Sequence, residues 1–121
     1  MTRKITAVML IALTGVLVGC LGPKGGKIKL PDNAVLLDVR QADEFDAGHI
    51  DGAVLVPHDT IAEKIGVVVL DKNTPVYVYC RSGRRSAIAV EAMKKLGYTD
   101  LTDLGGMDEA EKLLLRLIIR R

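Results

Sequence analysis

One short segment, residues 76–97, most constrains the fold, because it joins an apolar run, a tight turn and an amphipathic stretch. The apolar run extends from Val76 to Tyr79, and the amphipathic stretch ends at Leu96 and Gly97. This order predicts a β-strand that leads through a turn into an α-helix. The helix face predicted to be buried has helical spacing and consists of Ala89, Ala92, Met93 and Leu96.

The turn in this segment contains a cysteine and three arginines. Cys80 ends the strand, and Arg81, Arg84 and Arg85 follow within five residues. A helix N-terminus favours an anion through its unpaired amides and its dipole, and a thiolate is an anion. A buried structural cysteine would not require three neighbouring cations, which are costly to bury together. We predict that Cys80 is a nucleophilic thiol of lowered pKa in an anion-binding loop made of Arg81, Ser82, Gly83, Arg84, Arg85 and Ser86.

The rest of the chain alternates short apolar runs with short helical stretches. Further strands are predicted at residues 34–39, 53–56 and 101–104. Helical segments are predicted at residues 41–47 and 60–65, the second with Asp59 as its N-cap. Residues 66–70 fit either a strand or an extended helix end, because their β-branched side chains favour the strand and their position favours the helix.

A final helix is predicted after Gly105 and Gly106, which we expect to end the 101–104 strand. Its predicted apolar face consists of Ala110, Leu113, Leu114, Leu117 and Ile118. Arg120 and Arg121 would lie at its C-terminal end, where the helix dipole favours cations. Strands that alternate with helices predict an α/β fold with a small parallel sheet. Asp38 and Cys80 both end apolar runs, so we expect both at the sheet edge where ligands bind.

The pattern of residues at the N-terminus predicts a targeting segment. Arg3 and Lys4 precede an uncharged apolar stretch, residues 5–19, which is shorter than the roughly 20 residues that span a bilayer. Leu17 to Cys20 resembles the lipobox of bacterial lipoproteins. That resemblance implies a signal peptide at residues 1–19, a lipid on Cys20 and a periplasm-facing location, at the outer membrane rather than the inner. A differently cleaved leader, which would leave a soluble periplasmic protein, is the alternative.

Export has consequences for charge and for sulfur chemistry. The chain has 17 basic and 15 acidic residues, and Arg3 and Lys4 lie in the leader, so the mature protein would carry no net charge. This balance gives no indication of a nucleic-acid partner. If Cys20 is acylated, Cys80 is the one free thiol of the mature chain, and an intramolecular disulfide is impossible. We expect a flexible tether at residues 20–30 and one domain at residues 31–121.

Three groups of motifs together resemble the rhodanese family, at spacing similar to that of its members. They lie at residues 37–40, 44–45, 48–50 and 52–53, then at 78–86, and finally at 96–98 and 104–107. The resemblance implies a rhodanese-like α/β fold, with helices on both faces of the small parallel sheet. The short exported chain looks most like the phage-shock-type periplasmic thiosulfate sulfurtransferases of that family.

The resemblance implies that the Cys80 thiolate takes sulfur from a small donor such as thiosulfate. It would then pass the sulfur from a persulfide to cyanide or a thiol, without metal or organic cofactor and as a monomer. Arg81 and Arg84 would hold the donor, while Arg85 would contact Glu44 or Asp38. Supporting roles are expected for Asp38, Arg40 and Glu44, with Asp38 as a structural acceptor of loop amides rather than a base. We expect a hydrogen-bonded structural role for His49 and a solvated side chain for His58.

Three other functions are compatible with parts of the sequence. Rhodanese-like folds also include phosphatases and arsenate reductases, but their arginine lies six residues after the cysteine, whereas Arg85 lies five after Cys80. The shorter loop fits a sulfur atom better than a tetrahedral phosphoryl group. A non-catalytic, lipid-anchored binding module is less compatible with an intact cysteine loop. A thiol redox protein would require a second, resolving cysteine.

Overall fold

A computed structural model describes residues 28–114 and 118–120, and within this range strands and helices alternate. The strands are β1 Val35–Asp38, β2 Gly48–Ile50, β3 Val54–Leu55, β4 Val76–Cys80, β5 Leu101–Gly106 and β6 Ile118–Arg120. The helices are α1 Ala42–Ala47, α2 Ile61–Val68, α3 Arg84–Lys95 and α4 Met107–Leu114, with a 3₁₀ turn at His58–Thr60 before α2.

Four strands form a parallel sheet in the order β3-β1-β4-β5. Strand β4 is therefore flanked on both sides, and its C-terminal residue, Cys80, leaves the middle of the sheet. In the register between β1 and β4, Asp38 lies opposite Tyr79, one residue before the cysteine. Asp38 and Cys80 thus lie at the same sheet edge, as predicted. Strands β2 and β6 form a separate antiparallel pair.

The sheet has an apolar cluster on each face, because successive side chains of a strand point in opposite directions. Leu37 and Val78 face one way and pack with residues of α2 and α3, whereas Leu36 and Tyr79 face the other way and pack with α4. The first cluster also contains Ile61, Ile65, Ala89, Val90 and Met93, and the second contains Ile50, Leu104, Ala110 and Leu114. The fold is therefore an α/β structure with a small parallel sheet flanked by helices on both faces, as predicted.

The ambiguous segment at residues 66–70 is mainly a helix end. Helix α2 continues to Val68, and the amide of Val69 donates to the carbonyl oxygen of Ile65. The predicted N-cap was wrong, because Asp59 lies inside the 3₁₀ turn and Thr60 occupies the N-cap, where its hydroxyl donates to the carbonyl oxygen of Pro57 instead of capping the helix.

Strand β5 does not end before its two glycines. Gly105 pairs with Tyr79 and Gly106 with Cys80, after a bulge in the register beside Val78. Glycine was expected to interrupt the strand, but here the absence of side chains lets the strand run close to the loop that follows Cys80.

The final helix is shorter than predicted. Helix α4 ends at Leu114, and Ile118 and Arg120 belong to strand β6, where they pair with Ile50 and Gly48. The prediction therefore assigned to one helix residues that belong to a helix and to a strand. Arg120 lies in the strand and not at a helix end. Leu117 and Arg121 lie outside the described residues.

Near the N-terminus, the chain is already packed at residue 28. The amide of Ile28 donates to the carbonyl oxygen of Leu113 at 2.7 Å, and Ile28 and Leu30 pack against the second cluster. Residues 28–30, which the prediction places in the tether, therefore include two residues that contact the domain. The predicted signal peptide and Cys20 lie outside the described residues. Of the helices described, none has the length and apolar character needed to cross a membrane.

Candidate active site

Strand β4 places Cys80 at the C-terminal edge of the sheet, under the loop at residues 81–86. No part of Cys80 is exposed to solvent. The amide of Gly83 donates to its Sγ atom over 2.9 Å. Gly83 precedes α3 with a φ of 103°, in the left-handed region that glycine adopts most readily. The glycine therefore turns the chain sharply enough for a backbone amide to point back at the sulfur.

The surroundings of Cys80 favour its ionised form. Burial raises the pKa of the thiol, but hydrogen bonds outweigh burial and hold the pKa below its ordinary value. They come from the Ser86 side chain and from the backbone amides of Ser86, Gly83 and Ser82. The predicted loop thus lowers the pKa of the thiol mainly through hydrogen bonds rather than through the charge of its guanidinium groups.

The three arginines of the loop have different environments. Arg85 makes a bidentate ion pair with Glu44, with distances of 2.7 Å and 2.8 Å between nitrogen and oxygen. This contact, one of the two predicted for Arg85, ties the start of α3 to α1. The hydrogen bond from Arg85 lowers the pKa of Glu44 to about 2. Arg81 and Arg84 are exposed, and Arg81 also lines the cleft described below.

Asp38 is the centre of a buried polar network. Its carboxylate accepts hydrogen bonds from the amide of Arg40 at 3.0 Å, from the guanidinium of Arg40 and from the hydroxyl of Tyr79 at 2.7 Å. Arg40 also donates to the carbonyl oxygen of Gly48, and Tyr79 accepts from the amide of Ile50. Asp38 is therefore a structural acceptor, and its donors lie in the loop after β1 and in β4. The hydrogen bonds to Cys80 come instead from the 81–86 loop.

Sequence reasoning missed two members of the site. Tyr79 looked like an ordinary strand residue, and only the register of β1 and β4 brings its hydroxyl to Asp38. Asp103 lies in β5 and is exposed, but its Oδ1 atom lies 2.7 Å from the hydroxyl of buried Ser86. Spacing along the chain contains no signal for either contact, because both depend on strand pairing.

The loop at residues 81–86 packs against the end of β5. Ser82 forms an isolated antiparallel bridge with Gly106. A Cβ atom at Gly106 would lie 2.7 Å from the carbonyl oxygen of Arg81 and 3.3 Å from the Cα atom of Ser82. Glycine at this position therefore permits the close approach of the two backbone segments.

An open cleft of about 320 Å³ lies beside this loop. It is lined by Arg40, Asp43, Glu44, Ala47, Gly48, Arg81 and Met107. Arg40 and Glu44 are held in the ion pairs described above, whereas Arg81 has no carboxylate partner among the described residues. The cleft is therefore lined by four charged side chains beside apolar surface, borders the loop that follows Cys80, and is large enough for a small anion.

The two histidines lie outside this arrangement. Nδ1 of His49 lies 2.9 Å from the carbonyl oxygen of Phe45, and the His49 ring stacks on Phe45 with 3.7 Å between ring centroids. The predicted structural role for His49 agrees with these contacts. The solvated side chain predicted for His58 is observed only in part, because the residue is partly exposed but its Nδ1 atom is buried and has no hydrogen-bond partner among the described residues. Across the described residues, no three His, Cys, Asp or Glu side chains are grouped so as to hold a metal ion.

Comparison with known proteins agrees with this geometry. Residues 27–112 match the family described as "Rhodanese-like domain". The chain belongs to the rhodanese family. Among its relatives, the thiosulfate sulfurtransferase PspE of Escherichia coli is 37% identical over 73 residues, which cover 60% of this chain and 70% of that protein.

Solved structures of rhodaneses resemble the fold. A structure described as "rhodanese with anions from E. coli" has a TM-score of 0.66 and 31% identity, and the match covers 73% of this chain and 99% of that one. A thiosulfate sulfurtransferase from Pseudomonas aeruginosa has a TM-score of 0.64 and 26% identity, over 73% of this chain and 17% of the other.

Proposed function

We propose that this rhodanese is a thiosulfate sulfurtransferase that carries sulfur as a persulfide on Cys80. The observation that supports this most strongly is the hydrogen bonding of the thiol, in which loop amides and Ser86 lower the pKa of Cys80 despite its burial. A thiolate is the nucleophilic form of cysteine. The same donors can stabilise the terminal sulfur of a persulfide, which also carries negative charge.

The reaction has two displacement steps. In the first, the Cys80 thiolate forms a bond to the outer sulfur of thiosulfate, the sulfur–sulfur bond of the donor breaks, and sulfite leaves with the bonding electrons. In the second, a nucleophile such as cyanide or a thiolate bonds to the terminal sulfur of the persulfide. The bond between the two sulfur atoms of the persulfide then breaks, and the electrons return to Cys80 as the thiolate.

The donor would approach through the cleft beside the 81–86 loop. Thiosulfate carries two negative charges, and the exposed guanidinium groups of Arg81 and Arg84 suit an oxyanion. Because no part of Cys80 is exposed, the loop at residues 81–86 must shift for the donor to reach the sulfur. The bond from the Met107 amide to the Arg81 carbonyl oxygen is long, at 3.4 Å, and so opposes such a shift only weakly.

Similarity supports the same proposal. The Escherichia coli relative and the Pseudomonas aeruginosa structure are both named thiosulfate sulfurtransferases. The solved Escherichia coli structure is described as a rhodanese with anions. These names belong to those proteins, and the identity of the donor and acceptor for this chain is our proposal. Within it, the active unit is a monomer and requires no metal or organic cofactor.

Steady-state and single-turnover kinetics test this function. With thiosulfate alone, we expect about one equivalent of sulfite per Cys80, and with added cyanide we expect thiocyanate formation with double-displacement kinetics. Cys80→Ser should form neither product, while Cys20→Ala should retain both activities. Absence of sulfite release would contradict the proposal. Hydrolysis of phosphate esters faster than sulfur transfer would also contradict it and would favour a phosphatase.

We also propose that the protein is exported and anchored by a lipid on Cys20, at the outer membrane. The lipobox-like residues 17–20 support this proposal. Labelled fatty acid supplied to cells should be incorporated into the protein and not into Cys20→Ala. A soluble periplasmic protein without label would show that the leader is removed by ordinary cleavage.

A further inference from the structure

The cleft beside the 81–86 loop contains one unpaired charge of each sign. Two guanidinium groups and two carboxylates line it, so its charged lining has no net charge. Arg40 and Glu44 are engaged in the ion pairs described above. Arg81 and Asp43 are exposed, and neither forms an ion pair with another described residue. The cleft therefore offers a ligand one available cation and one available anion.

The size and the remaining lining of the cleft suit a small organic molecule. Its volume of about 320 Å³ is within the range of small-molecule sites. Ala47, Gly48 and Met107 provide apolar surface beside the charged groups. A dianion such as thiosulfate would be attracted by Arg81 but repelled by Asp43. A molecule that carries one charge of each sign on a short carbon chain complements all of these groups.

We propose that the sulfur acceptor bound in this cleft is a small zwitterionic aminothiol, an amino acid with a thiol such as cysteine. Its carboxylate pairs with Arg81 and its ammonium group with Asp43. Because Arg81 directly follows Cys80, an acceptor bound to it lies beside the loop that shifts to expose the sulfur. This inference rests on the proposed function, in which donor and acceptor use one site in turn. Asp43 is then a specificity residue that favours the acceptor over the anionic donor.

The transfer to such an acceptor exchanges one sulfur–sulfur bond for another. The acceptor thiol releases its proton to solvent, and its thiolate forms a bond to the terminal sulfur of the Cys80 persulfide. The bond between that sulfur and Cys80 breaks, and the electron pair returns to Cys80 as the thiolate. The product is the persulfide of the amino acid, and the step consumes no oxidant or reductant.

The test measures single-turnover transfer from protein that has been loaded with thiosulfate and freed of the excess. The acceptors are cysteine and N-acetylcysteine, which lacks the ammonium group. Each acceptor is compared with itself in the parent protein and in Asp43→Asn, so differences in intrinsic thiol reactivity cancel. We expect Asp43→Asn to slow transfer to cysteine about twofold to fivefold, the scale of an exposed charge pair. Transfer to N-acetylcysteine should be no slower than in the parent protein.

The loading step should respond to the same substitution in the opposite direction. Asp43→Asn removes a repulsive charge, so sulfite release from thiosulfate should become faster. A merely structural role of Asp43 would slow both steps together. Asp46→Asn neutralises an exposed residue of α1 that does not line the cleft and should leave both steps unchanged. Equal effects of Asp43→Asn on cysteine and N-acetylcysteine, or no effect on either, would overturn the inference.

A second measurement requires no sulfur transfer. S-methylcysteine carries both charges but no thiol, and at millimolar concentration it should slow alkylation of Cys80 by iodoacetamide. The background is Cys20→Ala, so that Cys80 is the one thiol of the chain. The protection should weaken in Asp43→Asn and persist in Asp46→Asn. Absence of protection would overturn the inference about the acceptor, whereas failure to load sulfur from thiosulfate would contradict only the proposed donor reaction.

Discussion

At the scale of single residues, the Cys80 thiol receives hydrogen bonds from Ser82, Gly83 and Ser86, all in the loop that follows it. The arginines of that loop have other roles. Arg85 is engaged by Glu44, and the exposed pair Arg81 and Arg84 face the solvent from which an anion would arrive. In the reaction that we propose, charge therefore serves mainly to hold the loop and to attract an anionic donor, while hydrogen bonds favour the thiolate.

The Glu44–Arg85 pair predicts a loss of stability in acid. The pKa of Glu44 is lowered in the folded protein to about 2, whereas a free glutamate has a pKa of about 4.3. A group with a lowered folded pKa stabilises the protein above its unfolded pKa, and the contribution disappears as the pH falls from there to the folded pKa. We expect the stability difference between the parent protein and Glu44→Gln to be largest near neutral pH and to shrink between about pH 4.5 and 2.

Urea unfolding at a series of pH values measures this difference. Both side chains are partly exposed, so we expect the difference to be modest, at the upper end of surface ion pairs. Asp43→Asn, which neutralises a neighbouring residue of α1, provides the matched control. A stability difference for Glu44→Gln that is independent of pH would contradict the assigned ion pair.

At the scale of elements, the site is built at the end of β4, where β5, α1 and α3 approach the 81–86 loop. The 81–86 loop lies between the ends of β4 and β5, and Gly106 leaves room for the Arg81 carbonyl oxygen. Helix α1 is joined to α3 by the pair between Glu44 and Arg85. The position of Cys80 therefore depends on two strands and two helices.

Gly106→Ala should disturb this junction. Its Cβ would lie 2.7 Å from the Arg81 carbonyl oxygen and 2.5 Å from Oε1 of Glu109. Glu109 is a flexible side chain that can turn away, but the backbone at Arg81 has to shift with the whole loop. We expect a loss of about 1–3 kcal/mol in the free energy of unfolding, typical of overpacking, and slower sulfite release from thiosulfate.

Gly66→Ala is the matched control for this substitution. A Cβ at Gly66 in α2 would meet nothing within 4 Å, and alanine is favoured over glycine inside a helix. We expect a gain of about 0.5–1 kcal/mol and unchanged sulfite release. Equal stability effects at both glycines would show that the approach of β5 to the 81–86 loop is not tight.

The sequence predicted those features that depend on neighbouring residues. The strand, turn and helix at residues 76–97 follow from local periodicity, and the cysteine and arginines of the turn define the candidate site. The roles of Tyr79 and Asp103 could not be predicted, because they depend on which strands pair and in what register. For the same reason, the apolar spacing after Ala110 looked like one helix, although Ile118 belongs to a strand that pairs with Ile50.

At the scale of the whole molecule, the order β3-β1-β4-β5 sets Cys80 between flanking strands and covers both faces of the sheet with apolar clusters. The buried network of Asp38, Arg40 and Tyr79 supports the same edge from β1. The fold thus surrounds the buried thiol of Cys80 with hydrogen-bond donors and leaves a cleft lined by charged side chains beside the loop that follows it.

The most direct test of this account is the intact mass of the purified protein after exposure to thiosulfate and removal of the excess. We expect a gain of one sulfur atom, reversed by cyanide, retained in Cys20→Ala and absent in Cys80→Ser. No gain in the parent protein, or the same gain in Cys80→Ser, would contradict the claim that Cys80 carries the sulfur.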